Sequence, residues 1–185
     1  YFPQMKDLIE QEMMDRETAQ LLVSRFRQGS TLIAGGNSSG KTTILNALKE
    51  TLPNNMAVLV AQQADELTTR FHPDMMFLHS LPGAGEQQVS YDLEHISIAG
   101  LTMDVDFFII GEVKGAEALY LLNAAYTGQI CAATIHAPSA DRATDKLVDY
   151  AMYESRYSRD ELMKMMDCFQ TLVFMEHYRV KEIFA

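Results

Sequence analysis

The chain has 185 residues, of which 48% are hydrophobic and 22% are charged, the composition of an ordinary globular protein. A domain of this length buries roughly 70% of the surface that its unfolded chain would expose, so the fold needs no disulfide or metal to hold it together. A formal net charge of -10 argues against direct nucleic-acid binding, which needs clustered Lys and Arg, and no apolar stretch reaches the roughly 18 residues of a membrane span.

Hydrophobic periodicity and capping residues divide the chain into alternating helices and strands. In chain order, the predicted elements are helix 16–27, strand 31–34, helix 42–51, strand 56–61, helix 90–101, strand 106–111, helix 115–126, strand 129–134, helix 140–152, a helix from Ser158 to about Phe169, and strand 170–176. Residues 79–88, with their Pro and Gly, are the most loop-like segment. Lys146 is predicted to lie on a solvated helix face. This alternation predicts one α/β domain with a mainly parallel sheet and helices on both faces.

The stretch IAGGNSSGKTT, residues 33–43, contains the pattern of a phosphate-binding loop (P-loop), Gly-x-x-x-x-Gly-Lys-Thr, between a strand and a helix. Its glycines permit backbone angles that turn successive N–H groups towards phosphate oxygens, and the following helix adds the positive end of its dipole. Lys41 is expected to reach the β- and γ-phosphates, and the Thr42 hydroxyl to bind Mg²⁺. We therefore predict that ATP and Mg²⁺ bind here, through Gly35, Gly36, Asn37, Ser38, Ser39, Gly40, Lys41, Thr42 and Thr43.

Two further side chains follow apolar strands and are expected at the same edge of the sheet, because ligands bind at the carboxyl ends of parallel strands. Glu112 follows the apolar run 107–110, and a carboxylate there binds the metal or polarises the attacking water. His136 follows another apolar strand and is a candidate sensor of the γ-phosphate. The alternatives are a surface glutamate and a histidine that serves only packing. The predicted catalytic residues are Lys41, Glu112 and His136, and the predicted metal ligands are Thr42 and Glu112.

The segment 104–148 resembles the ATPases of type II and type IV secretion and pilus assembly, most closely their Flp-pilus and conjugation branch. It carries the Gly-Glu Walker B run GEVKGAEA at 111–118, then TGQ at 127–129, then the His-box motif TIHA at 134–137. With the P-loop included, the resemblance covers about residues 8–180.

This resemblance implies a RecA-like ATPase domain that works in a homo-oligomeric, hexameric ring at the cytoplasmic face of the inner membrane. ATP hydrolysis in such rings moves domains against one another to drive pilin assembly or substrate transfer, and the implied partner is an inner-membrane platform protein. Residues 1–185 are accordingly expected to be the C-terminal ATPase domain of a longer protein, without its N-terminal domain. The family's nucleotide, metal, Walker B and sensor roles fall on Lys41, Thr42, Glu112 and His136.

The sequence departs from the family in the acidic box, which there reads IEDTAEL and whose first Glu is the favoured base for the attacking water. The matching residues 61–67 read AQQADEL, so Gln62 replaces that Glu. An amide orients a water but cannot accept its proton, and loss of a general base is expected to lower turnover by roughly 10²–10⁴-fold. Asp65 or Glu66 is the substitute if the register slips by a few residues. If the site is otherwise competent, Gln62→Glu is expected to raise turnover by roughly tenfold or more.

Arginines that the family carries are also missing, since Thr102 and Asp104 stand before the Walker B strand and Lys114 stands after it. Loss of bidentate donors weakens the stabilisation of a transferring phosphoryl group. Two alternatives therefore stay open. The first is a subunit that senses ATP and barely hydrolyses it. The second is a small-molecule kinase, which needs an Arg-rich lid that segment 79–88 does not supply.

Overall fold

The computed structural model describes residues 2–81, 91–153 and 155–184. In chain order, the elements are α1 (Met5–Glu10), α2 (Arg16–Gln28), β1 (Thr31–Gly35), α3 (Lys41–Lys49), β2 (Val58–Gln62), β3 (Met75–His79), α4 (Leu93–Thr102), β4 (Phe107–Val113), α5 (Glu117–Tyr126), β5 (Ile130–His136), α6 (Ala140–Ala151), α7 (Arg159–Met166), β6 (Thr171–Glu176) and β7 (Arg179–Phe184). Among these described helices, none combines the length and the apolar character that crossing a bilayer requires.

The strands form one seven-stranded sheet in the order β3-β2-β4-β5-β1-β6-β7. Neighbouring strands are parallel except β6 and β7, which form an antiparallel hairpin. At its carboxyl end β1 lies between two neighbours, with Gly35 paired to His136 of β5 and to Met175 of β6. The predicted α/β fold with a mainly parallel sheet is confirmed by this topology.

Helices cover both faces of the sheet. Successive side chains of a strand point to opposite faces, so neighbouring residues of β1 enter different cores. Leu32 lies in the core formed with α4, α5, α6 and α7, whereas Ile33 lies in the core formed with α1, α2 and α3. Because β1 and β2 are buried along their whole length, polar groups accumulate in the loops at the strand ends.

Helices α2, α6 and α7 each begin at a side chain that caps the first turn. The Asp15 side chain accepts a hydrogen bond from the backbone N–H of Thr18 at 2.7 Å, which fixes the start of α2. Ser139 caps α6 in the same way, and Ser158 with Glu161 forms a reciprocal capping box at the start of α7. Each cap satisfies N–H groups that a helix terminus otherwise leaves unpaired.

Three short elements, α1, β3 and β7, were not predicted from the sequence. β3 and β7 are the edge strands of the sheet, and their side chains are half-buried or exposed. Their sequences consequently lack the continuous apolar run that marks the inner strands. α1 has only 6 residues, too few for a helical pattern to be recognised.

Several predicted boundaries move by a few residues. α3 begins at Lys41 and ends at Lys49, and β5 continues to His136. α4 begins at Leu93. Of the predicted loop 79–88, His79 ends β3, and residues 82–88 lie outside the described part of the chain.

Candidate nucleotide site

The P-loop connects β1 to α3, and two of its glycines are required by the backbone geometry. Gly40 precedes the helix with φ 97, a left-handed conformation that other residues rarely adopt. A Cβ on Gly35 would lie 2.4 Å from the Met175 carbonyl oxygen and 2.5 Å from Ser39 Oγ, so no side chain fits there. At Gly36 a Cβ would meet no atom within 4 Å, so the packing does not explain that glycine.

The Lys41 ammonium group lies across the P-loop. Its Nζ donates hydrogen bonds to the carbonyl oxygens of Gly35 at 3.1 Å and Gly36 at 2.7 Å, and the residue is only 7% exposed. Burial lowers the pKa of Lys41 below its usual value, and the negative charges of Glu112 and Glu66 oppose that shift. A cation therefore lies beside the loop N–H groups, which is the charge distribution that an anionic ligand requires.

Two buried polar atoms at the P-loop have no hydrogen-bond partner among the described residues. They are Ser39 Oγ, within the loop, and His136 Nδ1, at the end of the neighbouring strand β5. Buried polar atoms are normally paired, because leaving them without a partner costs free energy. Without a partner among the described residues, Ser39 Oγ and His136 Nδ1 retain hydrogen-bonding capacity for a ligand.

Glu112 lies in a β-bulge of β4. The pairing of Ile110 with Ala133 is followed by that of Val113 with Ile135, so β4 has one residue more than β5 over this stretch. A bulge of this kind changes the direction of side chains and commonly occurs next to active sites. The Thr134 hydroxyl anchors the bulge by donating a hydrogen bond to the carbonyl oxygen of the preceding Gly111 at 2.7 Å.

The Glu112 carboxylate forms an ion pair with Lys114, in which Oε2 and Nζ are 2.7 Å apart. The hydrogen bond that the Lys114 ammonium group donates to this carboxylate raises the pKa of Lys114 above its usual value. Lys114 occupies the position where the family resemblance expects an arginine. In this structure its charge is directed to the Glu112 carboxylate.

A cavity of about 50 Å³ brings the predicted metal ligands together with the segment after β2. Its lining residues are Thr42, Gln62, Gln63, Ala64, Glu66, Gly111, Glu112 and Lys114. The Thr42 hydroxyl donates a hydrogen bond to Glu66 Oε2 at 3.0 Å. Asn46 holds the same segment by donating to the Glu66 carbonyl oxygen at 2.8 Å. Glu66 is therefore the acidic-box carboxylate in contact with the P-loop.

Gln62 shapes the loop that presents Glu66. Its Oε1 accepts hydrogen bonds from the N–H groups of Leu67 at 2.8 Å and Glu66 at 3.2 Å, and its Nε2 donates to the Leu67 carbonyl oxygen at 2.9 Å. Asp65 lies 3.2 Å from His79 Nε2 instead. The substitution expected to remove the base thus leaves a buried structural amide, and of the two alternatives in the sequence it is Glu66 that contacts Thr42.

Lys146 was predicted on a solvated helix face, and that prediction was wrong. Its Nζ donates a hydrogen bond to the carbonyl oxygen of His136 at 2.8 Å, so the charge lies at the carboxyl end of β5. The sequence offers no direct signal for this contact, because the contact depends on how α6 packs against the sheet after β5.

Known proteins resemble this chain in sequence and in fold. A family model described as "Type II/IV secretion system protein" matches residues 3–170. An uncharacterised protein of Methanocaldococcus jannaschii is 30% identical over 120 residues, which cover 65% of this chain and 44% of the relative. The type IV secretion system protein PtlH of Bordetella pertussis is 31% identical over 119 residues, which cover 63% of this chain and 34% of PtlH. The chain thus spans less than half the length of these two relatives.

Among solved structures, the VirB11 ATPase of the Brucella suis type IV secretion system, in complex with sulphate, superposes with a TM-score of 0.76 at 16% identity. The match covers 100% of this chain and 56% of that protein. At that identity the likeness establishes the shared α/β fold. Because the family model covers residues 3–170, the chain belongs to the type II/IV secretion system protein family.

Proposed function

We propose that this chain is an ATP-binding and ATP-hydrolysing domain of a motor that serves secretion, pilus assembly or conjugation. The observation that carries the proposal is the convergence, at one edge of the sheet, of the P-loop with two carboxylates. Thr42 lies at the P-loop end, Glu66 accepts its hydroxyl hydrogen bond, and Glu112 lines the same cavity. Membership of the secretion family supports the same conclusion.

The P-loop is proposed to hold the triphosphate. The N–H groups of the loop and of the first turn of α3 supply hydrogen bonds, and the helix dipole adds to them. Lys41 exchanges its hydrogen bonds to the carbonyl oxygens of Gly35 and Gly36 for phosphate oxygens. This exchange places the ammonium charge on the β- and γ-phosphates.

The chain's oxygen-donor side chains fit a magnesium ion. Mg²⁺ prefers oxygen ligands and is commonly held by one or two carboxylates together with substrate phosphates. The Thr42 hydroxyl and the carboxylates of Glu66 and Glu112 line one cavity and would hold the ion. When bound, Mg²⁺ neutralises charge that develops on the phosphate oxygens.

Glu112 is proposed to polarise the water that attacks the γ-phosphorus. The water oxygen bonds to phosphorus as the bond to the β–γ bridging oxygen breaks, giving ADP and inorganic phosphate, and the water proton passes to a carboxylate. His136, whose Nδ1 has no partner among the described residues, is proposed to bind a γ-phosphate oxygen. Residues from the adjacent strands β4 and β5 would thereby act on the same phosphate group.

Assembly and location are proposed from the family. The domain is expected to work in a homo-oligomeric, hexameric ring on the cytoplasmic side of the inner membrane, bound there through a platform protein of the secretion or pilus apparatus. Residues 1–185 would serve as the ATPase domain of that ring subunit. Hydrolysis would then change the contacts between subunits and move the transported protein.

The Glu112–Lys114 ion pair favours one alternative, a subunit that binds ATP and barely hydrolyses it. The Lys114 ammonium nitrogen lies 2.7 Å from Glu112 Oε2, so it occupies an oxygen that metal binding or polarisation of a water would need. Gln62 and the missing arginines are compatible with this alternative, because a sensor needs to bind and release the nucleotide but does not need to hydrolyse it.

Phosphate release by the full-length protein distinguishes the two functions. The motor predicts ATP hydrolysis that Glu112→Gln lowers by roughly 10²-fold or more while ATP affinity changes little. A matched control is Glu10→Gln, an exposed glutamate at the end of α1. The sensor predicts ATP binding with no phosphate release above that of Glu112→Gln. An unmeasurable affinity for ATP in the wild-type protein contradicts both functions.

A further inference from the structure

The turn between β6 and β7 has an unusual backbone. The strands pair up to Glu176 and Arg179, so His177 and Tyr178 form a two-residue turn. Both have positive φ, 48 for His177 and 58 for Tyr178. Hairpin turns with two positive φ values usually contain Gly, Asn or Asp, because a side chain is disfavoured in this conformation. A tyrosine there is an outlier, and strained residues of this kind concentrate at functional sites.

Contacts on both sides fix the position of this turn. The N–H of Val180 donates a hydrogen bond to the carbonyl oxygen of Met13 at 2.9 Å. The Arg179 guanidinium lies 3.0 Å from a carboxylate oxygen of Glu12. The hairpin is thereby held against the segment between α1 and α2, and the conformation of the turn is determined by its surroundings.

The Tyr178 ring lies against the P-loop. A Cβ added at Gly40 would come within 3.3 Å of Tyr178 Cδ1, so the ring reaches the glycine that precedes α3. Tyr178 and the loop residues 38–43 line a cavity of about 110 Å³. Ser39 belongs to that lining and is only 5% exposed. Its hydroxyl oxygen has no hydrogen-bond partner among the described residues.

Packing alone does not account for the ring. Tyr178 remains 53% exposed, so about half of its surface is available to a ligand. An aromatic face in this position is suited to stacking on a planar base. A nucleoside triphosphate held by residues 38–43 would place its base beside the loop.

We infer that Tyr178 is the stacking platform for the base of the bound nucleotide. The inference rests on the proposed function, because the base is brought to Tyr178 only when the P-loop holds the phosphates. The left-handed turn directs the ring towards Gly40, and the anchored hairpin keeps it there. The residue is thus a positioning residue for the nucleotide.

Calorimetry with ATP and with inorganic tripolyphosphate tests this role in the full-length protein. Replacing Tyr178 by glycine removes the ring and also relieves the positive φ, so the fold is not expected to lose stability. The control is His177→Gly, which relieves the same backbone strain and keeps the ring. We expect Tyr178→Gly to weaken ATP binding by roughly tenfold to a hundredfold, with the affinity for tripolyphosphate unchanged. His177→Gly should leave both affinities unchanged.

The other outcomes overturn the inference in distinguishable ways. If the wild-type protein binds neither ligand, the proposed function fails together with the inference. If it binds tripolyphosphate as tightly as ATP, or if Tyr178→Gly weakens both ligands equally or neither, the phosphate site stands and the stacking role is wrong. Melting temperatures of the variants show whether any loss of binding follows from unfolding.

A spectroscopic test does not depend on removing the ring. Residues 1–185 contain 0 Trp, so the tryptophan that Tyr178→Trp places at the P-loop has no other beside it within these residues. Its fluorescence should be quenched by ATP and left unchanged by tripolyphosphate. Tyr126→Trp serves as the control, because Tyr126 is 64% exposed at the end of α5, at the opposite edge of the sheet. Equal responses to the two ligands at position 178, or equal quenching by ATP at both positions, contradict stacking.

Discussion

Thr42 Oγ1 lies 3.0 Å from Glu66 Oε2, so the hydroxyl at the end of the P-loop donates a hydrogen bond to a carboxylate from the segment after β2. The two residues come from separate loops at the same edge of the sheet. Their contact gives the acidic box a direct connection to the predicted magnesium ligand, although Gln62 stands where the family has a glutamate. Glu66 is thereby the acidic-box residue that contacts the proposed magnesium ligand Thr42.

We expect Glu66→Gln to lower phosphate release by roughly 10²–10⁴-fold, the range typical of a lost catalytic carboxylate. ATP affinity measured without hydrolysis should change far less, since the P-loop and Lys41 remain. The matched control is Asp65→Asn, because Asp65 contacts His79 rather than Thr42. Equal rates for Glu66→Gln and the wild-type protein would show that the Thr42 contact has no part in hydrolysis.

For Gln62→Glu, the structure reverses the expectation drawn from the sequence. The Gln62 amide donates to the Leu67 carbonyl oxygen at 2.9 Å, and an ionised carboxylate cannot replace that donor. We expect the free energy of unfolding to fall by about 1–3 kcal/mol and turnover not to rise. Urea denaturation and phosphate release measure the two effects. A roughly tenfold gain in turnover would instead identify position 62 as the site of the missing base.

Lys41→Ala should abolish measurable ATP binding, because it removes the ammonium group that lies across the P-loop. Charge-assisted hydrogen bonds of this kind each contribute about 1.5–3 kcal/mol. Lys6→Ala, at an exposed position of α1, is the control for a general loss of positive charge. An unchanged affinity of Lys41→Ala in calorimetry contradicts the assignment of the phosphate site.

The ion pair of Lys49 and Glu50 gives a prediction about stability and pH. Lys49 Nζ is buried 2.8 Å from Glu50 Oε1. Burial alone raises the pKa of Glu50, but the hydrogen bond and charge of Lys49, together with hydrogen bonds from Thr69 and Phe71, outweigh it, so the pKa lies below the usual 4.5. A carboxyl group with a depressed pKa stabilises the fold fully above its unfolded pKa and loses that contribution as the pH falls through the folded pKa.

We therefore expect Glu50→Gln to lower the free energy of unfolding at pH 7 by about 3 kcal/mol, because it leaves the Lys49 charge buried without its partner. The difference from the wild-type protein should narrow as the pH falls below 4.5. Urea denaturation at a series of pH values measures it, with Glu10→Gln as the exposed control. A difference that is the same at every pH contradicts the role of this ion pair.

The sequence sufficed for the parts of the molecule that depend on local patterns and on the geometry of parallel sheets. The P-loop is recognisable from its own residues, and Glu112 and His136 follow apolar strands whose carboxyl ends must share one edge. The inner strands are buried on both faces, so their residues are almost continuously apolar. The edge strands β3 and β7 carry no such signal.

The remaining parts depend on contacts that no local pattern encodes. Glu66 reaches Thr42 because Gln62 hydrogen bonds shape the loop between them. Tyr178 reaches Gly40 because the β6–β7 hairpin lies beside the P-loop strand. Lys146 reaches the carbonyl oxygen of His136 because α6 packs against the sheet beside the end of β5. Each contact joins residues whose proximity is set by the tertiary fold.

The central claim is that the P-loop binds a triphosphate and that two carboxylates complete the site. The most direct test is a crystal structure of the full-length protein with a non-hydrolysable ATP analogue and Mg²⁺. We predict the β- and γ-phosphates on Lys41 and on the N–H groups that follow Gly35, with the metal beside Thr42, Glu66 and Glu112. Phosphate density at another position, or a metal with both carboxylates turned away from it, would contradict the account.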